Sequence, residues 1–269
     1  MTPRHWAAPL LALILLSPVG ALGLVDGQQS ATSPSPLQLF LLAGQSNMAG
    51  RGTVADADRV EQPRVLMFTR DLRWGLAVEP MHFDKPIAAV GPGRAFGLAI
   101  AEADMGARIG LIPTAVGGSP ITAWEPGVLY KETGAYPWDD AVRRTRAAMP
   151  AGELKAILWH QGESDGNAEA APLYEARLRS LIARFRAEFG HATLPFIIGQ
   201  LGRFEGRPWN DGYTQVDAAH RRVAADVPGV VFVSSDGLKD GGDSLHFSAD
   251  SARELGRRYA AAYLALPKR

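Results

Sequence analysis

Short apolar runs recur along this chain, and their rhythm restricts what it can fold into. Leu37–Ala43 (LQLFLLA) is the clearest of them, apolar at nearly every position and stopped by Gly44. A strand with one wet face alternates polar and apolar residues, so a run that is apolar at both parities belongs inside a sheet covered on both sides. Similar runs occupy Arg64–Phe68, Arg108–Val116, Ala156–Trp159, Pro195–Leu201 and Val230–Ser234. Between most of them, Ala95–Ala103, Trp138–Met149, Leu173–Phe189 and Tyr213–Asp226 place apolar residues three and four apart, the helical spacing. Ser248 stands where it would cap a last helix ending near Leu264. Strand and helix alternate without an internal repeat or a break in composition. The pattern predicts one doubly wound α/β domain over residues 37–269 with a mostly parallel central sheet.

The first 36 residues do not share that pattern. Arg4 and His5 precede a nearly uncharged stretch whose apolar centre is Leu10–Leu16, followed by Pro18, Gly20 and the small residues up to Gly23. A basic start, a short apolar centre and a small-residue exit read as a secretory signal peptide over residues 1–23, cut after Ala21 or Gly23. The apolar part is shorter than the roughly 20 residues of a membrane span, so no stable anchor is expected after cleavage. Residues 24–36, Ser- and Pro-rich, read as a flexible linker. The product is expected to be exported, either periplasmic or secreted. Composition narrows its partners and chemistry. Lys and Arg total 28 and so do Asp and Glu, leaving no basic field to hold nucleic acid. With no cysteine at all, disulfides, thiolate metal sites and thiol catalysis are excluded.

In doubly wound sheets ligands bind outside the carboxyl ends of the strands. The polar clusters fall there: Gly44–Met48 after the first run, Gly117–Ser119 after the third, and His160–Asp165 after the fourth. A further cluster, Asp243–His246, precedes the last helix. Ser46 follows an apolar strand at a turn, where a hydroxyl is exposed beside free backbone N–H groups. It is not the G-x-S-x-G elbow, because position 48 is Met. The plainer reading is that Ser46 caps a short helix. Gly118 can turn its N–H toward a developing oxyanion, and Gln161 has an amide that can reach the same oxygen. A tight turn and a loop amide bonded to backbone are the plain alternatives for these two.

A serine nucleophile needs a base. Asp243 and His246 have a D-x-x-H spacing in a Gly-rich loop, which can set a carboxylate beside an imidazole. The same spacing recurs at Asp217 and His220, inside a helical stretch where a surface ion pair is expected instead. His160, Glu163 and Asp165 lack further ligands at metal-motif spacing, so no metal is assigned. Arg51, Trp74, Arg94 and Trp124 are candidates to line a sugar cleft, with core packing the alternative for the two tryptophans.

Five segments together resemble a known group: GQSNMAGRG at 44–52, VGPGRAFG at 90–97, AVGGSPITAWEPG at 115–127, WHQGESD at 159–165 and DSLH at 243–246. They are similar to carbohydrate esterases of family six, the sialate O-acetylesterase-like branch of the SGNH hydrolases, over about Leu37 to Leu264. That resemblance implies a flavodoxin-like three-layer α/β/α sandwich. It implies Ser46 as nucleophile, His246 as base and Asp243 as its orienter, with Glu163 a contender for the last place. The oxyanion donors would be the Ser46 and Gly118 N–H groups and the Gln161 side chain. The expected activity is removal of O-acetyl groups from a carbohydrate such as acetylxylan or O-acetylated sialic acid, without a cofactor. A lipid or thioester hydrolase of the same superfamily, or a sugar-binding protein that has lost its chemistry, are the alternatives.

Overall fold

Alternate residues of a single strand feed two hydrophobic cores. In the computed structural model, which describes Met1, Pro3 and residues 35–267, Leu39, Leu41 and Ala43 enter one core while Phe40 and Leu42 enter the other. All five are fully buried. This is the physical content of an apolar run at both parities: each face of the strand needs its own cover.

The chain runs β1 (Leu37–Gly44), α1 (Ser46–Ala49), β2 (Val65–Phe68), β3 (Trp74–Leu76), α2 (Pro92–Ala103), β4 (Arg108–Pro113), α3 (Pro137–Ala148), β5 (Gly152–His160), α4 (Ala171–Glu188), β6 (Phe196–Gly199), α5 (Asp211–Asp226), β7 (Val230–Val233) and α6 (Ala249–Leu264). The seven strands form one sheet in the order β3-β2-β4-β1-β5-β6-β7. Every pairing is parallel except that of β2 with β3. Residues of α3, α4 and α5 build the core on one face, and residues of α2 and α6 the core on the other. The result is a three-layer α/β/α sandwich with a mostly parallel sheet.

The expected strands and helices form, with ends shifted by a few residues. Three of the helices start one to three residues earlier than the apolar spacing suggests, with a proline in the first turn at Pro92, Pro137 and Pro172. Its fixed φ suits the first helical turn, where its missing N–H has no partner to lose. Ser248 caps α6 by accepting from the Ser251 N–H. The three-residue β3 lacks a detectable period and was not expected; it pairs antiparallel with β2 at the sheet edge. Apart from Met1, Pro3, Ser35 and Pro36, the expected signal peptide and linker lie outside the described residues. Among the described residues, no helix is long and apolar enough to cross a membrane.

The strand order matters for the site. β1 is central, with β4 on one side and β5 on the other. The chain leaves β1 toward one half of the sheet and later builds the other half from β5. Loops after β1, β4 and β5 therefore diverge from a common point and leave a crevice at the carboxyl ends.

Candidate active site

Gly44 closes β1 at φ +128°, and a Cβ there would lie 2.1 Å from the His160 carbonyl oxygen. Only glycine fits where β1 and β5 end side by side. The Gln45 N–H donates to that same oxygen at 2.8 Å and turns the chain, leaving Ser46 as the first residue of α1. Ser46 Oγ lies 2.9 Å from His246 Nε2, across 200 positions of sequence. On the other side of the ring, His246 Nδ1 is 2.6 Å from Asp243 Oδ2. The second Asp243 oxygen accepts from the N–H groups of Leu245 and His246 at 2.9 and 2.8 Å. Partial burial would raise this carboxyl's pKa, but the backbone N–H of His246, its ring and the Leu245 N–H outweigh that and hold it down at about 2. Asp243 is therefore a carboxylate throughout the usual pH range.

Glu163 is placed elsewhere. Its Oε1 accepts from Asn47 Nδ2 at 2.6 Å and lies 3.7 Å from His160 Nε2. Asn47 has no place among the sequence candidates, although it follows Ser46 in the same motif. Its amide also donates to the Leu245 carbonyl at 3.1 Å, and its carbonyl accepts from the Phe247 N–H at 3.1 Å. Both backbone neighbours of His246 are thus held by the residue next to Ser46. Asn47 fixes the distance between the two loops.

Gly118 adopts φ +87°, a conformation that favours glycine. Its carbonyl accepts from Ser164 Oγ at 2.8 Å. The loop is further held through Gly117, whose N–H donates to Asp84 at 2.8 Å. Arg51 pairs with the same Asp84 oxygen at 3.1 Å, and both side chains are almost fully buried. Arg51 is therefore brought to the site as a strut beneath the Gly117–Gly118 loop. Asp84 was not singled out in the sequence, since nothing near it forms a motif.

Gln161 does not present its amide to the crevice. It is fully buried, and its Nε2 lies 3.1 Å from the Ser119 carbonyl, 2.5 Å from Asp165 Oδ2 and 3.2 Å from Gln45 Oε1. Its Oε1 accepts from the Tyr174 hydroxyl at 2.8 Å. An amide has two hydrogens, and three acceptors already compete for them. The geometry makes Gln161 a brace tying the β1, β4 and β5 loops together, which corrects its expected place as an oxyanion donor. Burial also raises the pKa of Asp165, against the hydrogen bonds from Gln161 and the Ile121 N–H that lower it.

Of the sugar-cleft candidates, Trp124 is corrected as well. Trp124 is fully buried, donates to Ser119 Oγ at 3.1 Å and meets Trp159 edge to face, so it is core. Trp74 lies in the edge strand β3, half-buried against Phe68 with ring centroids 4.9 Å apart. The Arg94 guanidinium is buried in α2 and donates to the carbonyls of Ala77, Ala57 and Val60. Three backbone carbonyls hold this guanidinium in place.

The remaining histidines near the sheet are structural. His160 and His220 are fully buried, and burial pushes their pKa values down to about 4 and about 3. Asp217 does not pair with His220 but with Gln200 and Arg221. Among the described residues, no three His, Asp or Glu side chains converge as metal ligands.

Comparison with known proteins agrees with this arrangement of loops on a sheet. The family described as "Carbohydrate esterase, sialic acid-specific acetylesterase" matches residues 36–265. A probable carbohydrate esterase of Arabidopsis thaliana is 34% identical over 251 residues, covering 85% of this chain and 91% of the relative. The X-ray structure of that Arabidopsis protein superposes with a TM-score of 0.75 at 32% identity, over 86% of this chain and 99% of the other. NanS shares the fold with a TM-score of 0.72 at 18% identity, over 86% of this chain and 98% of the other.

Proposed function

The chain belongs to the sialic acid-specific acetylesterase family of carbohydrate esterases, and from that premise we propose that it is an exported serine esterase that removes O-acetyl groups from carbohydrate through an acetyl-enzyme. The observation that carries the reading is the unbroken line Ser46 Oγ, His246 imidazole, Asp243 carboxylate, with contacts of 2.9 and 2.6 Å. In this reading Ser46 Oγ attacks the acetyl carbonyl carbon while His246 Nε2 takes the hydroxyl proton. Asp243 fixes the Nδ1–H tautomer and stabilises the imidazolium. The negative oxygen of the tetrahedral intermediate faces the Ser46 and Gly118 N–H groups. The ester C–O bond then breaks, the sugar oxygen takes the proton from His246, and acetyl stays on Ser46. Water, deprotonated by the same imidazole, attacks the acetyl-enzyme and releases acetate. The chain's own residues provide every proton transfer and charge contact in this sequence, and no cofactor is invoked. The export part of the reading rests on the Arg4–Gly23 sequence pattern.

Acetylated xylan and O-acetylated sialic acid are the substrates to compare, by acetate release from each side by side. Ser46→Ala should leave a folded protein with turnover on both lowered by at least about 1,000-fold. A purified variant keeping more than about a tenth of wild-type turnover would remove Ser46 as nucleophile.

A further inference from the structure

Next to the Ser46–His246 line lies a cleft of about 370 Å³, counted to its open mouth, walled by Glu163, Phe204, Arg207, Trp209, Tyr213 and Leu245. It is built mainly by the loop after β6, another carboxyl-end loop of the same sheet. Leu245 ties it to the reacting groups, because Leu245 adjoins His246 and its carbonyl is held by Asn47. Glu163 ties it there a second time, through Asn47 Nδ2.

Two polar atoms of this wall are buried and have no hydrogen-bond partner among the described residues: Glu163 Oε2 and the Tyr213 hydroxyl. The Glu163 side chain is only 5% exposed. Its Oε1 is engaged by Asn47, so its unmet capacity is confined to Oε2. Burial pushes the Tyr213 pKa up, which keeps the phenol protonated and a donor. Buried polar groups in native structures are almost always paired, and one left alone carries a desolvation cost. Here an acceptor and a donor are left alone in one cleft. A ligand hydroxyl carries both functions they lack, a hydrogen for Glu163 Oε2 and a lone pair for the Tyr213 O–H.

The surrounding wall suits the same ligand. Trp209 is half-buried and anchored by its Nε1–H on the Gly202 carbonyl at 2.8 Å. Arg203 lies over the Trp209 ring at 4.5 Å, and Arg207 over the Tyr213 ring at 5.4 Å. The two aromatic rings are 6.3 Å apart. A fixed aromatic face beside a hydroxyl-matching donor and acceptor fits a pyranose, whose C–H face is apolar and whose edge is a row of hydroxyls.

We propose that this cleft binds the sugar of the ester, with Glu163 Oε2 and the Tyr213 hydroxyl sharing one free hydroxyl near the acetyl group and Trp209 covering the ring's apolar face. The assignment rests on the acetylesterase reading and gives Glu163 a substrate-binding place instead of that of partner to His246.

The test compares kcat/KM on 4-nitrophenyl acetate, which has no sugar, with that on a mono-O-acetylated methyl pyranoside and its deoxy analogues, each lacking one hydroxyl beside the ester. Tyr213→Phe should lower the sugar-to-aryl ratio about tenfold or more, mainly through KM on the sugar. Wild-type enzyme should show a similar loss on one of the deoxy sugars, and on that sugar Tyr213→Phe should add little further loss. Glu163→Gln should lower the ratio in the same sense. The cleft assignment fails if both variants keep the wild-type ratio, as they would if the two groups only held a water. If either variant does not fold, the deoxy series on wild-type enzyme decides, and equal kcat/KM across that series overturns the assignment. The failure of the wider reading looks different: wild-type enzyme would then release acetate from neither the aryl nor the sugar ester.

Discussion

In the loop before α6, Asp243 grips His246 at 2.6 Å and the opposite ring nitrogen faces Ser46. In α5 the same D-x-x-H spacing leads to a different arrangement. His220 is fully buried, its Nε2 is 3.0 Å from the Tyr174 hydroxyl, and its ring meets Tyr174 edge to face. Asp217 turns instead to Gln200 Nε2 and Arg221 Nε, both at 2.9 Å. Residues three apart on a helix are neighbours, but a helix must also bury one stripe. Val216, Ala219, His220 and Val223 form that stripe, all buried. The loop has no such obligation, so its backbone N–H groups can fold back onto Asp243 and set the carboxylate against the ring. Equal spacing sets a carboxylate against an imidazole only where the backbone is free to close around them.

The largest effect should separate the two histidines. His246→Gln should lower turnover on an acetyl ester by about 1,000-fold or more with the fold intact. His220→Gln should change turnover only a few-fold. Its cost falls on the fold, through the lost Tyr174 contact, and is about 1–3 kcal/mol in an unfolding titration. Comparable turnover losses in two well-folded variants would erase the distinction between loop and helix.

The two carboxylates near His246 sharpen the comparison further. Asp243→Asn should lower turnover by several hundredfold or more on sugar-free and sugar esters alike, because the ring loses the acceptor that fixes its Nδ1–H tautomer. Glu163→Gln, lying against Asn47, should show its effect in sugar selectivity instead. A several-hundredfold loss on both esters in the Glu163 variant, with none in the Asp243 variant, would exchange their places.

How far these features can be read from sequence depends on how local they are. β1 and the Ser46 turn are written in consecutive residues, as are the Asp243–His246 loop and the Ser248 cap. The buried stripe of α5 was also legible, had His220 been counted with Val216 and Val223 instead of being paired with Asp217. Gln161 was misread because its acceptors come from positions 45, 119 and 165, which meet only when three strands end together. Trp124 was misplaced for a related reason: an aromatic group suits a sugar or a core equally well, and residue type does not say which side it faces. The cleft wall at 202–213 carries no motif, since each arginine lies over a ring six residues further on, in an irregular loop and a helix.

The smallest predicted effect concerns proton linkage to folding. His82, His160 and His220 are buried as neutral rings, with pKa values pushed down by burial to about 4, about 4 and about 3. An unfolded histidine titrates near pH 6.5. Between about pH 6.5 and 4 the unfolded chain therefore takes up protons that the fold refuses, and stability falls as pH falls. Glu79 acts with the opposite sign. Burial pushes its pKa up to about 8, so its share is full below about 4.5 and declines as pH rises toward 8. From pH 6.5 to 4.5 three histidines oppose one carboxyl of comparable shift, and the acid-side loss should dominate. Glu79 and the other unaltered groups cancel when wild type and His220→Gln are compared at each pH. The variant's stability curve should be shallower by about one proton, roughly 1.4 kcal/mol per pH unit over that window. Urea unfolding at half-unit steps measures this slope. Parallel curves would mean that His220 gains its proton in the folded state, and the contrast between a buried structural histidine and an accessible one would fail.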